Sequence, residues 1–447
     1  MTTKTLLALT LSCASHNIYA VEKSDSTSIG NPQTNTDDFN KFRFGLYGEV
    51  MTNFMDYGLN RFGTPLGNTK VNRNSVSLPR LTFSLDYKIN DKWMIATEVE
   101  FEAGGTGTTY EMEKNIGSEN GEYETEIEKG GEVCIEQFHI TRLINKAFNL
   151  RFGHMVIPVG AANIYHEPIN YFSTACFEGE SSVIPASWHE TGLSVYGEFG
   201  NGTTAMEYEA MVVAGLNANG FDMYNWVKGG KQGFFETDNF TSPAYIARLV
   251  YCGVKGLKVG ASFYYCDDAI ANSDKPQFYS SLGKVPVRIF SVDSRYTNKY
   301  LTAWANFLTG SINNSAGVTS ANKHLSSKSP YSRQGPVAKN VITYSGELGF
   351  SMKNCLNLNW NQDVIPFVHY EYYNPQHKGE ASQVMDTRCE VSQWQVGVNW
   401  RVLPNLIFKA DYATRQIGTK KFFGKGKFNS ENEFCLALTY TGWLISR

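Results

Sequence analysis

Apolar and polar residues alternate one by one over many short stretches of this chain. From Arg80 to Ile89 every odd position is apolar and every even position is polar. Successive side chains of a β-strand point to opposite faces, so this period of two predicts a strand with one apolar face and one polar face. The alternation resumes from Trp93 to Phe101, after Asn90 and Asp91, which predicts a hairpin.

The same alternation recurs to the end of the chain. The connections that interrupt it are alternately short and long. The short ones lie at 90–91, 145–147, 200–202, 253–256, 297–299, 353–355 and 403–405. The long, polar ones lie at 58–78, 104–131, 158–187, 216–240, 267–285, 310–338, 374–388 and 416–430. Together they predict about sixteen strands. An even number of strands, with turns on one rim and loops on the other, is typical of all-β transmembrane antiparallel β-barrels with short periplasmic turns and long extracellular loops.

Three local features add detail to this barrel. The alternation changes phase within 133–143, which indicates a β-bulge or a wrongly assigned strand. Pro366 lies inside an alternating run and has no N–H to donate, so a bulge is predicted there as well. The tryptophans at 93, 304, 394, 400 and 443 lie near predicted strand ends, where outward-facing rings would form interfacial girdles.

Composition and charge limit the class of protein. After the first twenty positions no apolar run is long enough for a transmembrane helix. The mean hydropathy of −0.31 does not argue against a membrane barrel, because lipid-facing and water-facing residues alternate and cancel in the average. The formal net charge of −3 gives no reason to expect a nucleic-acid partner.

The chain is predicted to consist of three parts. Residues 1–20 have a positive charge at Lys4, a short apolar core and a small residue at Ala20, which indicates a signal peptide. Residues 21–40 are rich in Ser, Thr, Asn and Asp and are predicted to be a flexible periplasmic segment. Residues 41–447 form the predicted barrel, in the outer membrane of a Gram-negative bacterium.

If the apolar faces contact lipid, the opposite faces line a lumen. The predicted pore-lining residues are Arg43, Arg80, Lys88, Glu98, Glu100, Arg151, Glu207, Glu209, Arg248 and Arg288. Across all inward positions, basic and acidic residues are nearly balanced. Because a ring of one charge sign makes a pore selective, this balance predicts only weak ion selectivity.

The connection 158–187 differs from the other long ones because it is less charged and more aromatic. Folding into the barrel would bury its apolar side chains and narrow the lumen. Packing at the rim, or at an oligomer contact, would bury them equally well, and the sequence leaves both arrangements open. The candidates for a constriction are Tyr165, His166, Glu167, Glu178 and Glu180.

No enzyme, cofactor or metal site is predicted. The pairs His166-Glu167 and His189-Glu190 lack the second histidine four residues on that a zinc-binding helix requires. No Gly-x-Ser-x-Gly nucleophile turn occurs in a suitable setting. The seven cysteines after Cys13 are widely scattered and show neither a disulfide framework nor metal-ligand spacing.

The chain after its predicted signal peptide resembles the phosphate-selective porin O and P family and its porin relatives. The resemblance rests on the barrel layout, on Arg-Phe-Gly-His at 151–154 running into Ile-Pro-Val-Gly at 157–160, and on Trp-His-Glu-Thr-Gly at 188–192. It implies a sixteen-stranded homotrimer in outer-membrane lipid, with a loop folded into the pore. It also implies passive diffusion of small polar or ionic solutes.

Phosphate preference in that family is associated with a ladder of arginines and a lysine cluster, whereas here acids dilute the inward basic residues. The resemblance therefore supports the assignment to the class of porins better than it supports phosphate as the transported solute. A second hypothesis is a surface adhesin or structural barrel, with a plugged lumen and loops that bind a partner.

Overall fold

The computed structural model describes residues 39–59, 70–105, 109–114, 123–128, 131–185, 187–232, 237–325, 335–418 and 430–447. The predicted signal peptide and most of the predicted flexible segment lie outside these residues. At the end of that segment Phe39 is buried and packs against the guanidinium of Arg43. Its carbonyl oxygen accepts a hydrogen bond of 2.6 Å from Lys88. Phe39 therefore packs against the barrel, and a flexible segment before it stays a prediction.

Within the described ranges, sixteen strands pair antiparallel with their neighbours in chain order and close a barrel, which confirms the predicted fold class. β1 pairs with both β2 and β18 and so completes the ring. The barrel strands are β1 (Phe42–Leu59), β2 (Lys70–Asn90), β3 (Trp93–Glu102), β6 (Glu132–Asn145), β7 (Phe148–Val156), β8 (His189–Phe199), β9 (Met206–Val213), β10 (Ala244–Val254), β11 (Leu257–Cys266), β12 (Val287–Thr297), β13 (Leu301–Ile312), β14 (Asn340–Phe350), β15 (Asp363–Lys378), β16 (Val391–Leu403), β17 (Leu406–Ile417) and β18 (Ser430–Ser446).

The remaining elements lie in the connections. A separate two-stranded sheet, β4 (Thr109–Lys114) with β5 (Tyr123–Glu128), stands between β3 and β6. The helices are α1 (Ala161–Ile164), α2 (Glu178–Val183), α3 (Ser315–Asn322) and α4 (Met352–Cys355). In the described part of the chain, no helix has the length and apolar character needed to cross a bilayer. The predicted short turn at 353–355 is longer than expected, because it carries α4 between β14 and β15.

The two faces of the barrel wall differ sharply in polarity. Large apolar side chains stay exposed on the outer face, where Trp394 and Val396 are 54% and 53% accessible. Charged side chains are buried on the inner face, where Glu98 and Lys409 are each only 2% accessible. A soluble protein has the opposite distribution, so the outer face fits contact with hydrocarbon rather than with water.

The inner face is not polar along its whole height. Near the long-loop rim of β9 to β14 its inward residues are apolar and form one cluster with the loops; Val213, Ile246, Ile289, Leu308 and Val341 belong to it. Trp304 also faces inward and is buried. The prediction of an outward girdle position for Trp304 was therefore wrong, because the inserted aromatic residues described below require an apolar partner on the wall.

The phase break in 133–143 is a β-bulge. Glu98 pairs with Gln137 but Val99 pairs with Ile135, so Glu136 is an extra residue in β6, and Glu136 and Gln137 are both buried. The predicted bulge is confirmed here, and it places two successive polar side chains inside the barrel.

The bulge predicted at Pro366 is absent. Pro366 pairs with Val398 of β16 without a register shift. It lies just beyond the last pair between β14 and β15, which joins Gly349 to Phe367. A residue without an N–H is tolerated at that position because the ladder to β14 has already ended.

The outward apolar face leads to a prediction about charge. Val396 lies near the middle of β16 on the exposed outer face. Val396→Arg should lower the free energy of unfolding in lipid vesicles by ~2–4 kcal/mol, the usual cost of an arginine at the midplane of a membrane barrel. Val384→Arg is the matched control, since Val384 is 85% exposed in the connection between β15 and β16. Equal effects of the two substitutions would contradict a lipid-facing outer surface.

Candidate functional site

The connection between β7 and β8, residues 157–188, folds into the barrel; we call it the inserted loop. It contains α1 and α2 and reaches β14, β15 and β17 on the far side of the ring. Of the two arrangements that the sequence left open, the structure has the inward one. The loop is the element around which the candidate site is built.

Two carboxylates of the far wall hold the loop by its backbone. Glu347 of β14 accepts hydrogen bonds from the backbone N–H groups of Phe172 and Ser173, at 3.0 and 3.1 Å. Glu371 of β15 accepts another at 2.7 Å from the backbone N–H of Gly179. Carboxylates that bind backbone donors in a dry environment form strong, directional contacts.

Two residues of β17 complete this attachment. Asp411 accepts hydrogen bonds from the backbone N–H and the hydroxyl of Thr174, at 2.6 and 3.2 Å. The ammonium of Lys409 is fully buried and donates to three backbone carbonyl oxygens, at 2.7, 2.9 and 2.9 Å, those of Pro168, Tyr171 and Ser173. Wall carboxylates therefore bind the donors of the loop, and a wall ammonium binds its acceptors.

His369 of β15 lies between the two anchoring carboxylates. Its ring nitrogens are 3.5 Å from Glu347 and 3.6 Å from Glu371, and its ring stacks on Phe177 of the loop. The sequence analysis did not single out His369. Its position inside an alternating strand was the only available signal, since nothing local reveals a loop above it.

The predicted constriction residues of the loop are packed against the wall. Tyr165 meets Trp304 edge to face at 5.0 Å. Glu178 pairs with Arg415 of β17 at 2.7 Å.

Glu180 accepts hydrogen bonds from the backbone N–H of Ala162 at 2.7 Å and from the Asn306 amide at 2.8 Å. Burial is the main cause of a pKa of about 7 for the Glu180 carboxyl, which Asn306 lowers and which Asp293 and Glu371 raise.

His166 and Glu167 face the wall near β2, β3 and β6 and are both buried. The backbone carbonyl of His166 accepts a hydrogen bond from Arg80. Burial, with a smaller contribution from the Arg80 guanidinium, lowers the pKa of the His166 imidazole to about 4. The ring is therefore neutral at neutral pH.

The predicted pore-lining residues lie on the inner face, with the exception of Arg288. Most of the basic ones pair with a wall carboxylate: Arg43 with Asp86 at 2.7 Å, Arg80 with Glu49 at 3.2 Å, Arg151 with Glu209 at 3.1 Å, and Arg248 with Asp293 at 2.7 Å. Glu207 lies 3.5 Å from Lys258. Glu100 accepts from Thr82 at 2.8 Å, and Glu98 from Ser84 at 3.3 Å.

Arg288 is on the outer face, contrary to the prediction. The buried positions of β12 are the odd ones, including Val287 and Ile289, whereas Arg288 has the parity of the exposed Phe290. Its guanidinium lies 5.5 Å from the ring centre of Tyr265. The error has a physical reason: near the long-loop rim apolar residues face inward, so polarity no longer identifies the inner face.

The contacts of Lys409 yield a prediction for the inserted loop. Lys409→Met removes a charged donor from three buried carbonyl oxygens, so it should lower the free energy of unfolding by ~2–4 kcal/mol and speed amide hydrogen exchange in 168–174. Lys88→Met is the control, because Lys88 binds the carbonyl of Phe39 and not the loop. Unchanged exchange in the Lys409 variant would show that the loop does not depend on this contact.

Glu180 yields a prediction about pH. Its carboxyl is protonated more readily in the folded protein than in the unfolded chain, so stability should fall as the pH rises from about 4.5 to 7 and then level off. The charged groups around it are Asp293, which pairs with Arg248, and Glu371, which contacts His369. Glu180→Gln should remove ~1–3 kcal/mol of this decline, as measured by denaturant unfolding between pH 4.5 and 8. Parallel pH profiles of the variant and the wild type would contradict the prediction.

Comparisons with known proteins place the fold. No family model matches the chain. The sequence is similar to an uncharacterized protein of Aquifex aeolicus (strain VF5), with 25% identity over 309 residues. These residues are 66% of this chain and 64% of that protein, so the chain matches a little less than two thirds of the relative's length. Solved structures that are similar in fold include the following two, at sequence identities too low to indicate more than the fold. They are OmpF of Salmonella typhi, in complex with daunomycin (TM-score 0.56, 10% identity, 91% of this chain and 99% of that one), and the outer membrane channel DcaP of Acinetobacter baumannii (TM-score 0.52, 12% identity, 90% of this chain and 96% of that one).

Proposed function

We propose that this chain is a porin-type channel in the outer membrane of a Gram-negative bacterium. Small polar or ionic solutes would diffuse passively through its lumen, which the inserted loop narrows. The observation that carries the proposal is the closed barrel with an apolar outer face and a charged inner face that holds a loop inside. A membrane-spanning channel requires an outer surface that suits hydrocarbon and an inner surface that is polar.

The fold neighbours support this proposal. One is named an outer membrane channel, and the likeness in both cases covers about nine tenths of this chain. The resemblance noted in the sequence also implies a homotrimer and a loop folded into the pore. We therefore propose a homotrimer, which mass determination of the detergent-solubilised protein would test.

The inner charges support weak selectivity rather than a preference for phosphate. The arginines at 43, 151 and 248 each lie within hydrogen-bonding distance of a wall carboxylate. A paired charge has a weaker field at a distance than a lone one, so such pairs give a passing ion little preference by sign. A phosphate-selective pore would instead present a continuous basic surface.

The second candidate function, a plugged structural barrel or adhesin, is favoured by the depth of burial inside. Charged inner side chains such as Glu98, Arg151 and Lys409 are almost inaccessible. The connection between β9 and β10 also sends Phe221 and Trp226 into the apolar cluster at the long-loop rim. In this alternative the lumen does not conduct, and the outer loops bind a partner.

Conductance across planar bilayers separates the two functions. The porin proposal expects discrete channels from the purified protein, and a larger single-channel conductance after deletion of residues 163–180. Val384→Ser, on the exposed connection between β15 and β16, is a control that should conduct like the wild type. Protein that is silent with and without the deletion would contradict the porin proposal. Channels seen only after the deletion would mean that the loop closes the lumen, in favour of the plugged barrel.

Reversal potentials in a salt gradient would measure the selectivity of the same channels. The paired inner charges lead us to expect only a weak preference for either sign of ion. A strong preference for anions would instead support the phosphate-selective class.

A further inference from the structure

Three buried side chains from separate elements converge where the inserted loop meets the near wall. They are Glu98 of β3, Glu136 at the bulge of β6, and His166 of the loop. One imidazole nitrogen and one oxygen from each carboxylate all lie within 4.8 Å of one another. Without the bulge, the alternation of β6 would leave only Gln137 facing inward here, so the extra residue places this carboxylate inside.

Two atoms in this group have no hydrogen-bond partner although they are buried. They are Nε2 of His166 and Oε1 of Glu136. Leaving a polar atom buried and unpaired costs ~1–3 kcal/mol, so such atoms call for a specific explanation. The other atoms are occupied: Nδ1 of His166 lies 2.8 Å from the carbonyl oxygen of Asn163, and Oε2 of Glu136 accepts from the Tyr47 hydroxyl at 3.1 Å.

The hydrogen bond at Nδ1 decides what Nε2 can do. A carbonyl oxygen only accepts, so Nδ1 of His166 carries the proton and Nε2 of the neutral ring presents a lone pair. Nε2 lies 4.0 Å from Oε2 of Glu136, which is beyond hydrogen-bonding distance, and it has no other hydrogen-bond partner. A nitrogen lone pair and carboxylate oxygens in one dry pocket have a common preferred partner, which is a cation.

The balance of charge points the same way. Glu100 and Glu167 are buried close to Glu98 and Glu136. Arg80 and Lys231 both act on Glu136, but each is shared with another partner: Arg80 pairs with Glu49 at 3.2 Å, and the ammonium of Lys231 lies 2.7 Å from Nε2 of His189. Buried carboxylates are expensive unless a positive charge compensates them.

We propose that Glu98, Glu136 and His166 bind a divalent transition-metal ion of the Zn²⁺ type, which joins the inserted loop to β3 and β6. Mixed imidazole and carboxylate ligands suit Zn²⁺ better than Mg²⁺ or Ca²⁺, which prefer oxygen alone. Ligand atoms about 2.1 Å from a tetrahedral ion are about 3.4 Å apart. Nε2 of His166 and Oε2 of Glu136 are 4.0 Å apart, and the ligand atoms of the three residues lie within 4.8 Å of one another, so the side chains would have to move closer together around the ion. Water would take the fourth position.

The site would fix the side of the loop that the far-wall contacts do not reach. Glu347 and Glu371 hold the loop from β14 and β15, across the ring from β3 and β6. An ion at Glu98 and Glu136 would attach the opposite side of the loop to β3 and β6. The inference does not rest on the proposed function, because it concerns the folded barrel whether or not the barrel conducts.

Zinc titration of the folded, full-length barrel in detergent, after removal of metals with a chelator, tests the site. Calorimetry and metal analysis should find one Zn²⁺ per chain, with Mg²⁺ and Ca²⁺ unable to compete at equal concentration. Glu136→Gln and His166→Gln should each weaken Zn²⁺ binding by about tenfold or more. The controls Glu132→Gln, on the exposed start of β6, and His377→Gln, near the end of β15, should bind like the wild type. Electrophoretic mobility before and after heating shows whether each variant has closed its barrel.

Three results would overturn the proposal. The first is no Zn²⁺ binding by the wild type, and the second is equal binding by all four variants. The third is binding that survives His166→Gln but is lost in His189→Gln, because the His154 and His189 rings touch each other and form a competing candidate. X-ray absorption of the Zn²⁺-loaded wild type needs no variant: one imidazole with oxygen donors is expected, and several imidazoles or sulfur would contradict the assignment.

Discussion

The structure depends on hydrogen bonds between the polar inner wall of the barrel and the backbone of a chain segment folded inside it. A segment that leaves water must find partners for its N–H and C=O groups, and a loop without regular pairing cannot supply them itself. Here Glu347, Glu371 and Asp411 accept from the loop, and Lys409 donates to it. The polarity of the inner wall thus provides hydrogen-bond partners for the backbone of the loop.

The alternation of the strands makes this interior possible without weakening the wall. In a closed ring each strand has a hydrogen-bonded neighbour on both sides. The polarity of the side chains on each face can therefore match the medium on that face. Outward residues such as Val396 meet hydrocarbon, and inward residues such as Arg151 meet other polar groups. The two faces can therefore change independently: one controls insertion into the bilayer, the other controls what the interior holds.

Local periodicity was enough to predict the strands, their approximate number and the bulge that carries Glu136. It was not enough for Arg288, because both faces of the wall are apolar near the long-loop rim and polarity does not identify the inner face there. It was not enough for Trp304 either, because this residue faces inward to pack against Tyr165 and Phe177 of the inserted loop. The partners of the inserted loop were also beyond reach. Asp411 and Thr174 are separated by 237 residues, and no short-range pattern encodes such a contact. The loop's aromatic composition indicated burial but not the place of burial.

The seam between β1 and β18 joins Arg43 to Ser446, which is among the largest sequence separations in the molecule. Every other pair in the ring can form between strands that are neighbours along the chain, but this one must wait until the final strand exists. Until then the first strand has an open edge, a template for pairing with a foreign strand. Because closing so long a stretch of chain is entropically unfavourable and slow, the nascent barrel faces its greatest risk of aggregation just before the seam forms.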